Sequence, residues 1–446
     1  MSRSDIAKIE VEGTGGPKSS SGIAPAQVRH CERRASSTPV LLENMKRILC
    51  VDNNPDELGL LRRMLGRMKG DWIIECADNG PLAIQKMFQS PFDVIVSNFL
   101  MPKMNGAQLL EQVMKHFPHT VRIMLSGYFD WTATPKLMNA AHQCLCKPCD
   151  LAELQETISR ALFLRDVLNN KQLQRVVSQV QCLPSMPSLY IELVDELNHP
   201  HPSAQQIAEI ISRDIGMCAK MMQLVNSAYF GLPQRIADPK ESVLYLGLET
   251  VKALVLSLQI FSSFDRSKVD ERFFDRLWNH CWSTGNLAKW ISMQETSDTS
   301  LVDQAFLGGL LHDVGKLVLV TGLPNQFRAA LTLQEERQFP DWQAEQEIFG
   351  CSHAEVGAYL LGLWGLPNSI VEAVALHHRP GDCSGQNFST VAAVHIANAI
   401  EHKLKPSLDG CCSVEIDSDY ISRLGLTERL SLWREKASNT FCEQAA

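Results

Sequence analysis

The chain has 446 residues, 45% of them apolar and 21% charged, with a formal net charge of -8. That length allows about two or three domains, the composition is that of a globular protein, and the negative balance argues against general nucleic-acid binding. No apolar run reaches the roughly 18 residues of a membrane span, and the Ser-, Gly- and Arg-containing start has no apolar signal core.

Fourteen Cys without a secretion signal read as reduced thiols in a cytoplasmic protein. Residues 1–44 read as a disordered tail. Their Gly-Thr-Gly-Gly-Pro-Lys-Ser-Ser-Ser-Gly stretch at 13–22 is too small and polar to build a core. Arg29, Arg33 and Arg34 make the tail locally basic.

From Lys46 the pattern changes. Short apolar strands are expected at 47–51, 72–77, 92–97, 121–125 and 143–146, with helical spacing between them. Alternating strands and helices predict a parallel sheet covered by helices on both faces. Functional groups then belong at the carboxyl ends of the strands. Those ends hold Asp52, Asn53, Asn98, Ser126 and Lys147. Cys144-x-Cys146-x-x-Cys149 could suggest zinc, but the spacing also suits a strand with alternating faces, and no second Cys pair matches it.

The acidic end of the first strand, the loop Asn98-Phe99-Leu100-Met101-Pro102-Lys103-Met104-Asn105-Gly106, Ser126-Gly127 and Lys147-Pro148 resemble the receiver domain of response regulators over residues 46–165. The resemblance implies a flavodoxin-like, doubly wound α/β fold. In that family two acidic residues bind Mg, an Asp after the third strand takes the phosphoryl group, and a Ser or Thr and a Lys contact it. Here the phosphoacceptor position is Asn98, and one acidic position is Asn53. A carboxamide cannot form an acyl phosphate, and losing a carboxylate weakens a hard-cation site. The expectation is a pseudo-receiver that binds Mg poorly, with Lys147 paired to Asp52 or bonded to Asn98.

Residues 151–180 read as nearly continuous helix, the last receiver helix running into a connector at 166–182. After Pro184-Ser185-Met186-Pro187 the chain reads all-helical. Segments are expected at 204–212, 216–225, 242–246, 251–260, 273–292, 301–311, 343–349, 353–363, 370–377 and 389–401. An apolar lead at 305–311 runs into His312-Asp313-Val314-Gly315-Lys316. An adjacent imidazole and carboxylate suit a divalent ion of borderline hardness. His280, His353, His377 and His378 sit on separate helical segments that one fold could gather.

Leu183-Pro184-Ser185-Met186-Pro187, Ile210-Ile211-Ser212-Arg213-Asp214, Leu224-Val225-Asn226-Ser227-Ala228-Tyr229-Phe230-Gly231 and Val243-Leu244-Tyr245-Leu246-Gly247 resemble the HDOD domain, a branch of the HD superfamily. We place it at 183–400, with a C-terminal helical extension at 401–446. Asn226-Ser227 reads as a helix cap and turn, and Tyr229 and Phe230 as core. HD hydrolases use a His, a His-Asp pair, a distal Asp and further His residues. The match implies His280, His312, Asp313, His353, His377 and His378 as ligands of Fe, Mn or Zn, with Lys316 as a phosphate contact if the domain is a hydrolase.

The pattern departs at Asn398, where the distal Asp is expected, and at Arg276, where the two-metal branch has Glu. The loop at 381–386 lacks a Gly-Tyr-Pro signature. Two readings stay open. One is a bacterial signal-transduction protein whose HDOD module acts by binding protein or ligand. The other is a metal-dependent phosphohydrolase or cyclic-dinucleotide phosphodiesterase. The resemblance implies other signalling proteins as partners, a sensor kinase or a diguanylate-signalling enzyme among them, and a second copy of the chain. No basic recognition helix stands out, which argues against direct DNA binding.

Overall fold

Lys46–Val51 (β1) enters with two half-buried basic residues and then buries Ile48, Leu49, Cys50 and Val51. A strand buried on both faces needs cover on both. Alternation along the strands divides the side chains between two apolar clusters. Ile48, Cys50, Val94 and Val96 join one, and Leu49, Val51, Ile95 and Phe99 join the other.

The computed structural model describes residues 45–66, 72–127, 140–168, 170–181, 183–227, 235–252, 254–255, 262–263, 271–383, 385–404 and 414–442. The expected tail at 1–44, Tyr229, Phe230 and Cys411-Cys412 lie outside them.

The sheet part continues with α1 (Pro55–Gly66), β2 (Trp72–Ala77), α2 (Gly80–Gln89), β3 (Val94–Asn98), α3 (Gly106–His116), β4 (Val121–Ser126) and β5 (Gln143–Cys146). The five strands are parallel in the order β2-β1-β3-β4-β5. The order reverses between β1 and β3, so their carboxyl ends flank a crevice. Cys144 and Cys146 of β5 are not joined in a disulfide; one is buried and one half-buried.

The segment expected as one helix is two, α4 (Leu151–Val167) and α5 (Lys171–Gln179). Asn170 makes the break. Its Oδ1 accepts from the backbone N of Gln172 and Leu173, which starts a new helix. Its Nδ2 donates to the Phe349 carbonyl.

The helical part follows. Pro184–Ser185 (β6) pairs in parallel with Ser262–Ser263 (β7). The helices before β7 are α6 (Pro187–Asn198), α7 (Ala204–Ser212), α8 (Ile215–Val225), α9 (Pro239–Leu246) and α10 (Leu248–Lys252). Those after it are α11 (Glu271–Glu295), α12 (Thr299–Leu311), α13 (Val314–Gly322), α14 (Pro324–Arg337), α15 (Asp341–Phe349), α16 (His353–Leu363), α17 (Asn368–Leu376), α18 (Thr390–Leu404), α19 (Ser418–Arg423) and α20 (Thr427–Cys442). Asn226 caps the end of α8 and clamps Ile236 through both backbone groups.

Against expectation, Thr299–Gly322 is long and apolar enough by composition to cross a membrane. Its apolar window is 83% buried inside the protein, which makes α12 and α13 core elements of the helical part. The described residues from Lys46 onward form one compact unit. One apolar cluster runs from Ile48 and Val94 of the sheet through Leu154 and Ile158 of α4 to Leu317, Val356 and Leu360 of α13 and α16.

Candidate metal centre

Five helices converge on one buried cluster. α11 brings His280. α12 ends at His312, and Asp313 turns the chain into α13 without capping it through its side chain. That leaves the Asp313 carboxylate free to face the cluster. α16 begins with His353, held by Ser352 and Glu355 in a capping box. α17 ends at His377, followed by His378. Gly315 explains the close approach of α13 to α16: a Cβ there would overlap the His353 carbonyl oxygen. Only glycine lets the His312-Asp313 corner sit against His353.

All six expected ligand residues are brought together. The donor atoms of Asp313, His353, His377 and His378 lie within 4.8 Å of one another, and so do those of His280, His312 and Asp313. Asp313 belongs to both groups. Its Oδ1 is 3.0 Å from His353 Nε2 and 3.8 Å from His377 Nε2. Its Oδ2 is 3.6 Å from His312 Nε2 and 3.8 Å from His280 Nε2.

The rings are oriented from behind. His312 Nδ1 donates to the Gly309 carbonyl (2.7 Å) and His377 Nδ1 to the Val374 carbonyl (2.8 Å). His280 Nδ1 meets Glu401 and His353 Nδ1 meets Glu345, both at 2.6 Å. A carbonyl or carboxylate behind the ring fixes the proton on Nδ1 and leaves the Nε2 lone pair facing inward. His353 Nε2 and His378 Nε2 lie 3.0 Å apart, with no partner behind His378 Nδ1 among the described residues. Two of the oriented nitrogens, His280 Nε2 and His312 Nε2, are also 3.0 Å apart. Facing lone pairs at that distance require a proton or a cation between them.

Electrostatics point the same way. Burial drives the pKa of His312 down to about 3 despite the neighbouring Asp313, and His377 and His378 go well below the usual histidine range. His353 is also buried, but Glu345 and Asp313 outweigh burial and raise it to about 10. Burial would raise Asp313, yet His312, Lys316 and His353 hold its carboxylate well below the ordinary range. Burial thus keeps His312, His377 and His378 neutral beside an ionised Asp313, while His353 would have to release a proton to an incoming ion. Imidazole nitrogens and a carboxylate are the donor chemistry of a borderline divalent ion.

Lys316 is tied up, with Nζ 2.7 Å from Asp313 and 2.6 Å from Asp341. Arg276 is exposed on α11. Asn398 lies buried on α18, and neither atom of its amide has a hydrogen-bond partner among the described residues. Asp341, Glu345, Glu401 and His402 were not expected from the sequence. Asp341 and Glu345 share a face of α15, four residues apart. The His402 ring sits 4.6 Å from that of His280. The available signal was that four-residue spacing and the Glu401-His402 pair.

The crevice at the sheet switch point gathers the other expected residues. Asp52 Oδ2 is 2.5 Å from Lys147 Nζ. Its Oδ1 accepts from Asn54 N at 3.0 Å and from Asn98 Nδ2 at 3.2 Å. Asn98 Nδ2 also approaches Asn53 Oδ1 (3.4 Å) and the Leu100 carbonyl (3.0 Å). Ser126 pairs in register with Cys146, and its carbonyl accepts from Lys147 N.

A family model described as the response regulator receiver domain matches residues 48–159, and one described as the HDOD domain matches 183–380. An uncharacterized protein of Treponema pallidum (strain Nichols) is 28% identical over 255 residues, which cover 56% of this chain and 48% of that one. The response regulator protein PilR of Pseudomonas aeruginosa is 34% identical over 122 residues, 27% of each chain. The chain therefore spans about half the length of the first relative and about a quarter of the second. The crystal structure of the MmoQ response regulator from Methylococcus capsulatus strain Bath matches at 20% identity and a TM-score of 0.44, over 57% of this chain and 98% of that one.

Proposed function

The chain carries a receiver domain followed by an HDOD domain, and from that premise we propose a bacterial signal-transduction protein in which a receiver that takes no aspartyl phosphate is joined to a metal-bearing HDOD module. We assign 46–165 to the receiver, 166–182 to a connector, 183–400 to the HDOD module and 401–446 to a helical extension. The module works by binding other signalling proteins or a ligand, and the proposed location is the cytoplasm.

The observation that supports the metal is the set of inward-facing Nε2 atoms around Asp313, each imidazole of the first four anchored behind by an acceptor. Without a cation or protons, that buried donor set is a costly polar core. Fe, Mn or Zn suits the donors. His280, His312 and Asp313 Oδ2 would hold one ion, and Asp313 Oδ1, His353, His377 and His378 a second. A bound ion of this kind supplies Lewis-acid charge and acidifies a coordinated water. Lys316, paired with Asp313 and Asp341, acts as a structural counter-charge, which favours binding over turnover.

A second reading, the phosphohydrolase, is favoured by one observation: Asp313 is shared between the two donor groups, as a bridge between paired ions would be.

The test is elemental analysis of full-length protein purified without chelator, beside the His312→Ala, Asp313→Ala variant. The expected result is about one or two equivalents of Fe, Mn or Zn, lost in the variant. Two equivalents would justify assays on cyclic dinucleotides and phosphate esters. A folded wild type that stays metal-free after metal addition overturns the metal-bearing reading.

A further inference from the structure

The helices that present the candidate ligands are also the ones the receiver touches. At the ligand end, α13 and α16 are pressed together by small residues. A Cβ at Gly315 would overlap the His353 carbonyl, and one at Gly357 would stand 2.9 Å from Val314 Cγ1. At the opposite end each helix offers a notch. A Cβ at Gly362 of α16 would overlap Leu164 Cδ1 of α4, and a Cβ at Gly322 of α13 would overlap Val176 Cγ1 of α5. Leu164 and Val176 are therefore knobs seated in glycine notches on the two ligand-bearing helices.

Polar contacts surround the knobs. Gln143 Nε2 of β5 donates to the Gly362 carbonyl at 3.1 Å. Arg160 of α4 donates to the Leu366 carbonyl just past α16, where a cation complements the helix end. Asn368 Nδ2 donates to Glu156 Oε1 at 3.0 Å. Asn170 Nδ2 donates to the carbonyl of Phe349, the last residue of α15, which carries Asp341 and Glu345. Each of α13, α15 and α16 is thus held at its far end by the receiver or connector. Helices of nine to eleven residues are about 14–17 Å long and move as rods. A shift at the knobs would thus carry Asp313 and His353 with it.

We propose that the β5–α4 face of the receiver and the connector helix α5 form a cis clamp on α13 and α16, and that seating of this clamp and metal binding stabilise one another. This rests on the metal-bearing reading above. The receiver face is thereby committed to the HDOD module of its own chain. Linkage makes the effect reciprocal: metal tightens the clamp, and the seated clamp raises metal affinity.

The experiment uses the full chain stripped with chelator and titrated with Mn(II) by calorimetry, with amide exchange of residues 151–179 followed with and without the ion. Wild type is compared with Leu164→Ala, Val176→Ala, which shaves the knobs, and with Gly362→Leu, which fills a notch. The expected result is slower exchange of α4 and α5 on metal binding, absent in His312→Ala, Asp313→Ala. Affinity should fall about fivefold or more in the shaved variant. Metal binding of wild-type strength in both clamp variants, with exchange unaffected by the ion, overturns the clamp and leaves the metal centre standing. Absence of binding by wild type overturns both.

Discussion

Asp52 is 1% exposed, and both of its carboxylate oxygens are engaged. Lys147 takes one oxygen, and the Asn98 amide and the Asn54 backbone take the other. A hard cation would have to displace an ammonium and two N–H donors, with Asn53 offering no charge in return. Asn98 also points its donor at Asp52, where a phosphoacceptor carboxylate would repel it. Mg(II) with beryllofluoride should therefore shift the unfolding midpoint of wild type by less than about 1 °C, because a ligand that does not bind the folded state cannot stabilise it. Asn98→Asp sets a second carboxylate beside Asp52 and should make the midpoint rise with Mg(II). A shift of several degrees in wild type would refute the closed pocket. These pocket residues were legible because each sits at the end of an apolar strand. The five His and Asp313 were legible for a similar reason, as polar residues ending or interrupting apolar helices. Asp341, Glu345 and Glu401 were not. A carboxylate on a half-polar helix reads as a solvated face, and its bond, to an imidazole Nδ1 for Glu345 and Glu401 and to Lys316 for Asp341, exists only once another helix has packed against it.

At the scale of elements, Asp214 shows how a motif becomes architecture. It is the N-cap of α8, with Oδ1 accepting from Met217 N at 2.7 Å. Its Oδ2 accepts from Met186 N at 2.6 Å and from Trp278 Nε1 at 3.2 Å. One buried carboxylate thus ties α8 to the entry of α6 and to α11. Burial raises its pKa to about 6 against the pull of those donors. Asp214→Ala strands three buried donors and should cost about 2–4 kcal/mol in urea unfolding. A loss below about 0.5 kcal/mol would show the junction to be redundant. The expected helices at 204–212 and 353–363 agree with the structure to the residue, and side-chain caps fix their starts: Ser203 in one, Ser352 with Glu355 in the other. The break at Leu168 was missed because the apolar period runs on through it. The Asn170 cap that causes it is bonded to Phe349, a residue 179 positions away.

The whole molecule is joined along a buried polar seam as well as by apolar contact. Arg122 of β4 is 2% exposed and donates to the Ala140 carbonyl at 2.6 Å and to the Ser178 carbonyl of α5 at 2.8 Å. Burial lowers its pKa to about 9. His142 stands beside it. Its Nδ1 accepts from Arg122 N (3.1 Å), so its Nε2 carries the proton and donates to the Ser178 carbonyl (3.0 Å). The seam therefore needs a neutral imidazole. Burial, then the neighbouring guanidinium, hold the His142 pKa well below 6.5. Below pH 6.5 the unfolded chain takes up a proton that the folded chain refuses. The stability His142 contributes is thus complete above about pH 6.5 and is lost as the pH falls, by about 1.4 kcal/mol per unit. His142→Gln cannot titrate and should remove this increment. The gap in unfolding free energy between wild type and His142→Gln, measured by urea at pH 7.5 and 5.5, should move against wild type by about 1 kcal/mol. An equal gap at both values would mean that His142 is free to charge in the folded protein. The seam would then be open to water, and the receiver would be tied to the HDOD module by apolar contact and by the polar contacts of Gln143, Glu156, Arg160 and Asn170.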